Sequence, residues 1–139
     1  MEFIDKSTVN LDKVINELDK FVFRFIKILE KHVDYVIVSG YVSILFGRAR
    51  STEDIDVFIK EINKERFNLL YGDLRKNGYW CLNTGNIDEM HSYLADGLAI
   101  RFALEGETIP NFEVKIAKKA LVIETFNDRI VVITKLGKV

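Results

Sequence analysis

Residues 35–60, YVIVSGYVSILFGRARSTEDIDVFIK, decide how the chain reads. They parse as strand, tight turn, short helix, loop and strand. Tyr35–Val38 is a continuous apolar run that suits a buried strand. Ser39-Gly40 ends it, and Gly40 permits a backbone that a side chain obstructs. Tyr41–Phe46 reads as a short helix stopped by Gly47. A helix start offers unpaired N–H groups and the positive end of the dipole, so this turn can receive an anion, with the Ser39 hydroxyl as a further donor. The second strand opens with Asp54-Ile55-Asp56-Val57. Side chains alternate along a strand, so Asp54 and Asp56 project from one face with Cα atoms about 6–7 Å apart. Ile55, Val57 and Ile59 project from the other face into a core. Carboxylates that close repel one another unless something positive stands between them, and a hard divalent cation such as magnesium suits carboxylate oxygens.

Between turn and strand lie Arg48, Arg50 and Thr52. The fork of Arg50 suits phosphate, and Thr52 can brace the loop through hydrogen bonds to backbone. The same residues also read as an ordinary turn with a capping serine, followed by a solvated basic loop in which Arg50 neutralises Asp54 or Asp56. The order decides between these readings: Ser39-Gly40, thirteen residues, then Asp54-Ile55-Asp56, preceded by Arg50-Ser51-Thr52-Glu53. This arrangement resembles the nucleotidyltransferase superfamily, and within it the minimal nucleotidyltransferases and AbiEii-type toxins. Ser39 stands where that signature usually has its first glycine.

The resemblance implies an α+β chain with the polymerase-beta-like palm fold, a mixed β-sheet with helices packed on one face. It implies Ser39, Gly40, Arg50 and Thr52 as the residues that hold a nucleoside triphosphate, such as ATP, and Asp54 and Asp56 as ligands for Mg²⁺ or Mn²⁺. The activity it implies moves a nucleoside monophosphate onto an RNA end, a protein hydroxyl or a small molecule, with a toxin–antitoxin context among relatives.

Such enzymes use a third acid on a neighbouring strand, and here that position falls near Glu113. Lys115 shares the face of Glu113 and competes for the place. If the first strand of the same hairpin lay there instead, Arg101 would stand beside the aspartates and replace a metal with a salt bridge. Glu113 also reads as a plain strand residue paired with Arg101 across the hairpin. Three convergent carboxylates favour an enzyme. An Arg101 salt bridge favours a catalytically degenerate fold that acts as a binding or interaction module.

The rest of the chain frames this stretch. At 139 residues the protein reads as one domain spanning 1–139, large enough for a real core. Hydrophobic residues make up 48% and charged ones 29%, a balance that suits a soluble chain. No apolar run reaches the ~18 residues of a membrane span, and the start shows no signal peptide, so a cytoplasmic protein is expected. The single cysteine, Cys81, excludes an internal disulfide and reads as a buried thiol beside Trp80. A net charge of −1 argues against a general nucleic-acid binder, although the last 26 residues carry six basic and two acidic residues.

Asn10 is expected to cap a helix running to about Lys31, with Leu11, Val14, Ile15, Leu18, Phe21, Val22, Phe25, Ile26 and Leu29 on its core face. Phe23 and Ile28 widen that face enough to suggest a second subunit or partner protein. His32 sits near the helix end, where a cation is favoured. A second helix is expected over Ile62–Asn77, stopped by Asn77-Gly78 and weakened by Gly72. A strand over Tyr79–Leu82, a turn at Asn83–Asn86 and a short helix over Ile87–Leu94 follow. Asp88, Glu89 and His91 on that helix could be drawn as a metal cluster, but Asp88-Glu89 at a helix start reads as ordinary dipole complementarity. Leu98–Leu104 and Phe112–Ile116 read as two strands joined by a loop. Leu121–Phe126 and Arg129–Ile133 read as a hairpin around Asn127-Asp128, and Lys135–Val139 as a loose end.

Overall fold

The computed structural model describes residues 2–5, 8–10, 17–38, 54–117, 131–134 and 137–138. The expected turn at Ser39-Gly40, the helix over Tyr41–Phe46, Arg48, Arg50 and Thr52 lie outside these residues. So do Leu121–Phe126 and the Asn127-Asp128 turn.

The central part of the chain is built on a mixed five-stranded sheet, so the chain is α+β. Its strands are β3 (Tyr35–Val38), β4 (Asp54–Ile59), β5 (Tyr79–Cys81), β6 (Ile100–Leu104) and β7 (Asn111–Ile116). They lie in the order β3-β4-β7-β6-β5. Only the β4–β7 pair is parallel, and the other neighbours are antiparallel. Among the described residues three helices accompany the sheet: α1 (Glu17–Leu29), α2 (Lys64–Lys76) and α3 (Ile87–Ala95).

Alternation along the strands creates two unlike faces. Ile55, Val57 and Ile59 of β4 and Phe112, Val114 and Ile116 of β7 are buried. They join Phe25, Ile26 and Leu29 of α1, Phe67, Leu70 and Leu74 of α2, and Met90 and Leu94 of α3 in one core. All three helices thus cover the same face, because their apolar side chains leave water together with those of the strands. Aromatic packing closes the centre. Phe112 stacks on Phe25 with ring centroids 3.8 Å apart and on Phe21 at 4.7 Å. Tyr79 meets Phe25 edge-on at 5.3 Å.

The helix ends follow their sequence signals. Asn63 caps α2 by accepting a hydrogen bond from the Arg66 amide at 2.8 Å. Asn86 caps α3 by accepting from the amides of Asp88 and Glu89. Gly78 takes φ +87°, the left-handed turn that ends α2 after Asn77. Gly72 does not break α2. A Cβ there meets nothing within 4 Å. Gly72→Ala is therefore expected to stabilise the chain by about 1 kcal/mol, read as a thermal midpoint about 3 °C higher. His32 follows α1 and bonds the Asp73 carboxylate of α2 at 2.9 Å. That hydrogen bond is the main cause holding the Asp73 carboxyl below its ordinary value.

Two expectations for the chain ends need correction. Asn10 does not cap a helix: it ends strand β2 (Thr8–Asn10), and α1 is described only from Glu17. Strand β2 pairs with β1 (Glu2–Asp5) and runs parallel to β8 (Val131–Thr134). Lys135–Val139 is not a loose end throughout, because Gly137–Lys138 forms β9 against Ile133 and Thr134. These strands make a second, four-stranded sheet that joins the two ends of the sequence. Phe23 and Ile28 are only 2% and 5% exposed, so the chain itself covers the part of α1 that they widen. Cys81 is a free, buried thiol, as its apolar neighbourhood suggested. Among the described residues no helix is long and apolar enough to cross a membrane.

Candidate functional site

The face of the sheet away from the helices carries the polar positions of the same strands. On β4 the buried Ile55, Val57 and Ile59 alternate with Asp54, Asp56 and Phe58, which remain exposed or half-buried. Parallel pairing sets Asp54 beside Asn111, Asp56 beside Glu113 and Phe58 beside Lys115. Glu113, not Lys115, therefore occupies the place next to Asp56. Antiparallel pairing then sets Arg101 of β6 directly opposite Glu113 on the other side of β7. Three neighbouring strands thus contribute Asp54 and Asp56, Glu113 and Arg101 to one open face.

Arg101 ties this group together. Its Nη1 donates to Asp54 Oδ1 at 3.0 Å and to Asn111 Oδ1 at 3.1 Å. Its Nη2 donates to Glu113 Oε2 at 3.1 Å. The planar fork of a guanidinium permits such a bridge, which a lysine cannot span in the same way. The backbone beneath it is pinned as well. The Arg101 amide donates to Asn83 Oδ1, and its carbonyl accepts from the Leu82 amide, both at 2.8 Å. Asn111 is 4% exposed, and its Nδ2 donates to the Thr108 carbonyl at 3.0 Å.

Asp56 stands beside Glu113 and two residues along β4 from Asp54, the two acids that Arg101 holds. Its carboxyl is pushed above its ordinary value, first by burial and then by the charge of Glu113 and a hydrogen bond with that side chain. Asp54 adds a smaller push, and Arg101 opposes it least of all. A carboxyl with higher proton affinity folded than unfolded favours the fold below its ordinary value of 3.8. It loses that contribution as the pH rises past the raised value. Asp56→Asn removes the loss. In chelator-treated samples the variant is expected to melt about 2 °C higher than the parent at pH 7, a modest gain because the group is partly solvent-screened. The gain should vanish as the pH falls toward 3.8, and melting curves across that range check both halves.

The donor set, three carboxylates, has the chemistry a hard divalent cation prefers. The arrangement is closed around a guanidinium instead. Among the described residues, no three Asp, Glu, His or Cys side chains stand in a geometry that could hold a metal ion. The α3 residues do not offer one either. Asp88 pairs with Lys64 at 2.7 Å, Glu89 accepts from the Thr84 hydroxyl, and His91 bonds the Ile62 carbonyl.

Of the residues singled out by sequence, Asp54, Asp56 and Glu113 come together. Ser39, Gly40, Arg50 and Thr52 lie outside the described residues. Asn83 and Asn111 escaped the sequence reading. Both sit among turn residues, and asparagine at a turn signals only local hydrogen bonding. Asn111, read as loop, in fact begins β7. The chain matches no family model, and no curated protein matches it.

Proposed function

We propose that the chain is a metal-dependent nucleotidyltransferase built on the polymerase-beta-like palm fold. The observation that carries this reading is the register that sets Glu113 beside Asp56, on the face from which Asp54 also projects. That is where the sequence signature requires its third acid. Asp54, Asp56 and Glu113 are the residues that would hold Mg²⁺ or Mn²⁺. When bound, the cation neutralises charge on the triphosphate and acidifies an attacking hydroxyl. A carboxylate of this acidic group would accept the proton of that hydroxyl as its oxygen bonds to the α-phosphorus. The bond from that phosphorus to pyrophosphate breaks in the same exchange. Ser39, Gly40, Arg50 and Thr52 are assigned to the phosphates of the nucleotide on the sequence pattern alone. ATP is the nucleotide to try first, and an RNA end, a protein hydroxyl or a small molecule is the acceptor. A toxin–antitoxin role rests on the resemblance only.

A second reading has its own observation. The paired contacts of Arg101 to Asp54 and Glu113 are what a catalytically degenerate member of the fold, acting as a binding module, would show. Incubating the protein with labelled nucleoside triphosphates, Mg²⁺ and cell extract separates the two. A labelled RNA or protein that depends on Asp54 supports the enzyme. Absence of label, together with absence of Mg²⁺ binding in the presence of ATP, supports the binding module.

A further inference from the structure

Asn77-Gly78 is the one Asn-Gly step in the sequence. Such a step is chemically labile, because glycine has no side chain to keep its backbone nitrogen from the asparagine side-chain carbonyl carbon. Here the step ends α2, and its geometry opposes the attack. Asn77 has ψ 12°, which turns the Gly78 nitrogen away from the Asn77 side chain. Ring closure therefore requires the peptide between them to rotate. That peptide is held at both ends. The Gly78 amide donates to the Arg75 carbonyl at 3.2 Å, and the Asn77 carbonyl accepts from Arg24 Nη2 of α1 at 3.2 Å. The side chain is held as well: Asn77 Nδ2 donates to the Asp73 carbonyl at 2.8 Å and to Asp73 Oδ1 at 3.2 Å. His32 fastens the other oxygen of that carboxylate at 2.9 Å. Asn77 and Gly78 are half-buried, at a helix end, where fraying begins.

We propose that Asn77 is a modification site, converted to an acid by deamidation when the cap of α2 opens. In the open cap the Gly78 nitrogen bonds to Cγ of Asn77. Its proton passes through solvent to Nδ2, the Cγ–Nδ2 bond breaks, and ammonia leaves a cyclic imide behind. Water then opens the imide at either carbonyl, giving aspartate or isoaspartate at position 77. Water in and ammonia out balance the exchange. The rate in the folded chain is the rate in the open chain multiplied by the fraction of time the cap is open. The product is not silent. Aspartate at this position sets a carboxylate against the Asp73 carbonyl and carboxylate, where Asn77 donated hydrogen bonds. Isoaspartate adds a backbone atom just before Gly78 makes its turn at φ +87°. Either product loosens the joint that Arg24, His32 and Asp73 make between α1 and the end of α2.

The test incubates the full chain at neutral pH, folded and in urea, and follows position 77 by peptide mass spectrometry, with fragmentation that separates aspartate from isoaspartate. The folded parent is expected to gain acid at Asn77 about a hundredfold more slowly than the chain in urea, the ratio for a cap open about one-hundredth of the time. Isoaspartate among the products marks the cyclic route. Arg24→Met keeps an apolar stem over Tyr79 but removes the donor to the Asn77 carbonyl. Asp73→Ala removes the carboxylate that holds the Asn77 side chain. Each variant, still folded by its melting curve, should convert about fivefold faster than the parent, the effect on cap opening of losing a hydrogen bond. Asn77→Asp, which fixes one product, should melt about 5 °C below the parent. Absence of acid at Asn77 in the folded parent and both variants overturns the site. Equal rates in the folded chain and in urea overturn the protection by the cap. Folded variants that convert no faster than the parent overturn the part given to Arg24 and Asp73. An Asn77→Asp chain that melts with the parent overturns the loosening of the joint.

Discussion

Phe112→Ala is expected to lower the free energy of unfolding by about 3–5 kcal/mol, the cost of truncating a buried aromatic when the surrounding core cannot collapse into the space. Phe112 is 0% exposed and lies between two rings of α1, Phe25 and Phe21, with Tyr79 edge-on at 6.4 Å. Those rings belong to a helix on one side and an edge strand on the other, so closing the void requires two elements to move at once. Domains of this size carry about 5–15 kcal/mol in total, so the loss is a large share of the whole. Urea unfolding should show a lower midpoint with an unchanged slope. Phe58→Ala, on the half-exposed face of β4, is the control and should cost about 1 kcal/mol or less. A cost for Phe112→Ala no larger than that of the control contradicts the packing. The substitution also bears on the site, because Phe112 alternates with Asn111 and Glu113 along β7. Loosening this strand loosens the register that sets Glu113 beside Asp56.

The double variant Asp54→Asn, Asp56→Asn is expected to reduce metal-dependent nucleotide transfer on the order of a thousandfold, the scale of losing the groups that organise charge in a transition state. Asparagine keeps the shape and one acceptor oxygen of each aspartate but removes the charge that binds the cation. The fold should not suffer, since Asp54 is exposed and Asp56 half-buried on the open face. The ion pair of Arg101 with Asp54 is lost, and a partly exposed pair contributes about 1 kcal/mol at most. Labelled nucleotide incorporation is the activity readout, and a Mg²⁺ titration by calorimetry is the binding readout. A variant that melts like the parent yet neither binds nor transfers supports the site as drawn. Undiminished transfer by a folded double variant moves the chemistry away from these residues.

Much of the central sheet was legible because its residues obey local rules. Asp54-Ile55-Asp56-Val57-Phe58-Ile59 alternates with period two, so its faces follow from geometry before any partner is known. The spacing of Val22, Phe25, Ile26 and Leu29 marks the core face of α1, and Asn77-Gly78 marks the end of α2. The second sheet was not legible, because residues at opposite ends of the chain make it. Thr8–Asn10 beside Val131–Ile133 is a pairing that no local pattern announces. Asn10 is a good helix cap in isolation, and strand pairing overrode that preference.

The same division holds at the site. By itself the sequence determined that Asp54 and Asp56 share a face, and that a third acid, if present, stands near Glu113. It left Glu113, Lys115 and Arg101 as rivals for one place, because strand order and register depend on which strands meet. Only the tertiary structure decided that β7 lies parallel to β4, that Glu113 stands beside Asp56, and that Arg101 reaches over β7 to hold Asp54 and Glu113 at once. The reason is physical. Alternation is a property of one strand, whereas a guanidinium bridging two carboxylates from different strands exists only once three strands have been brought side by side.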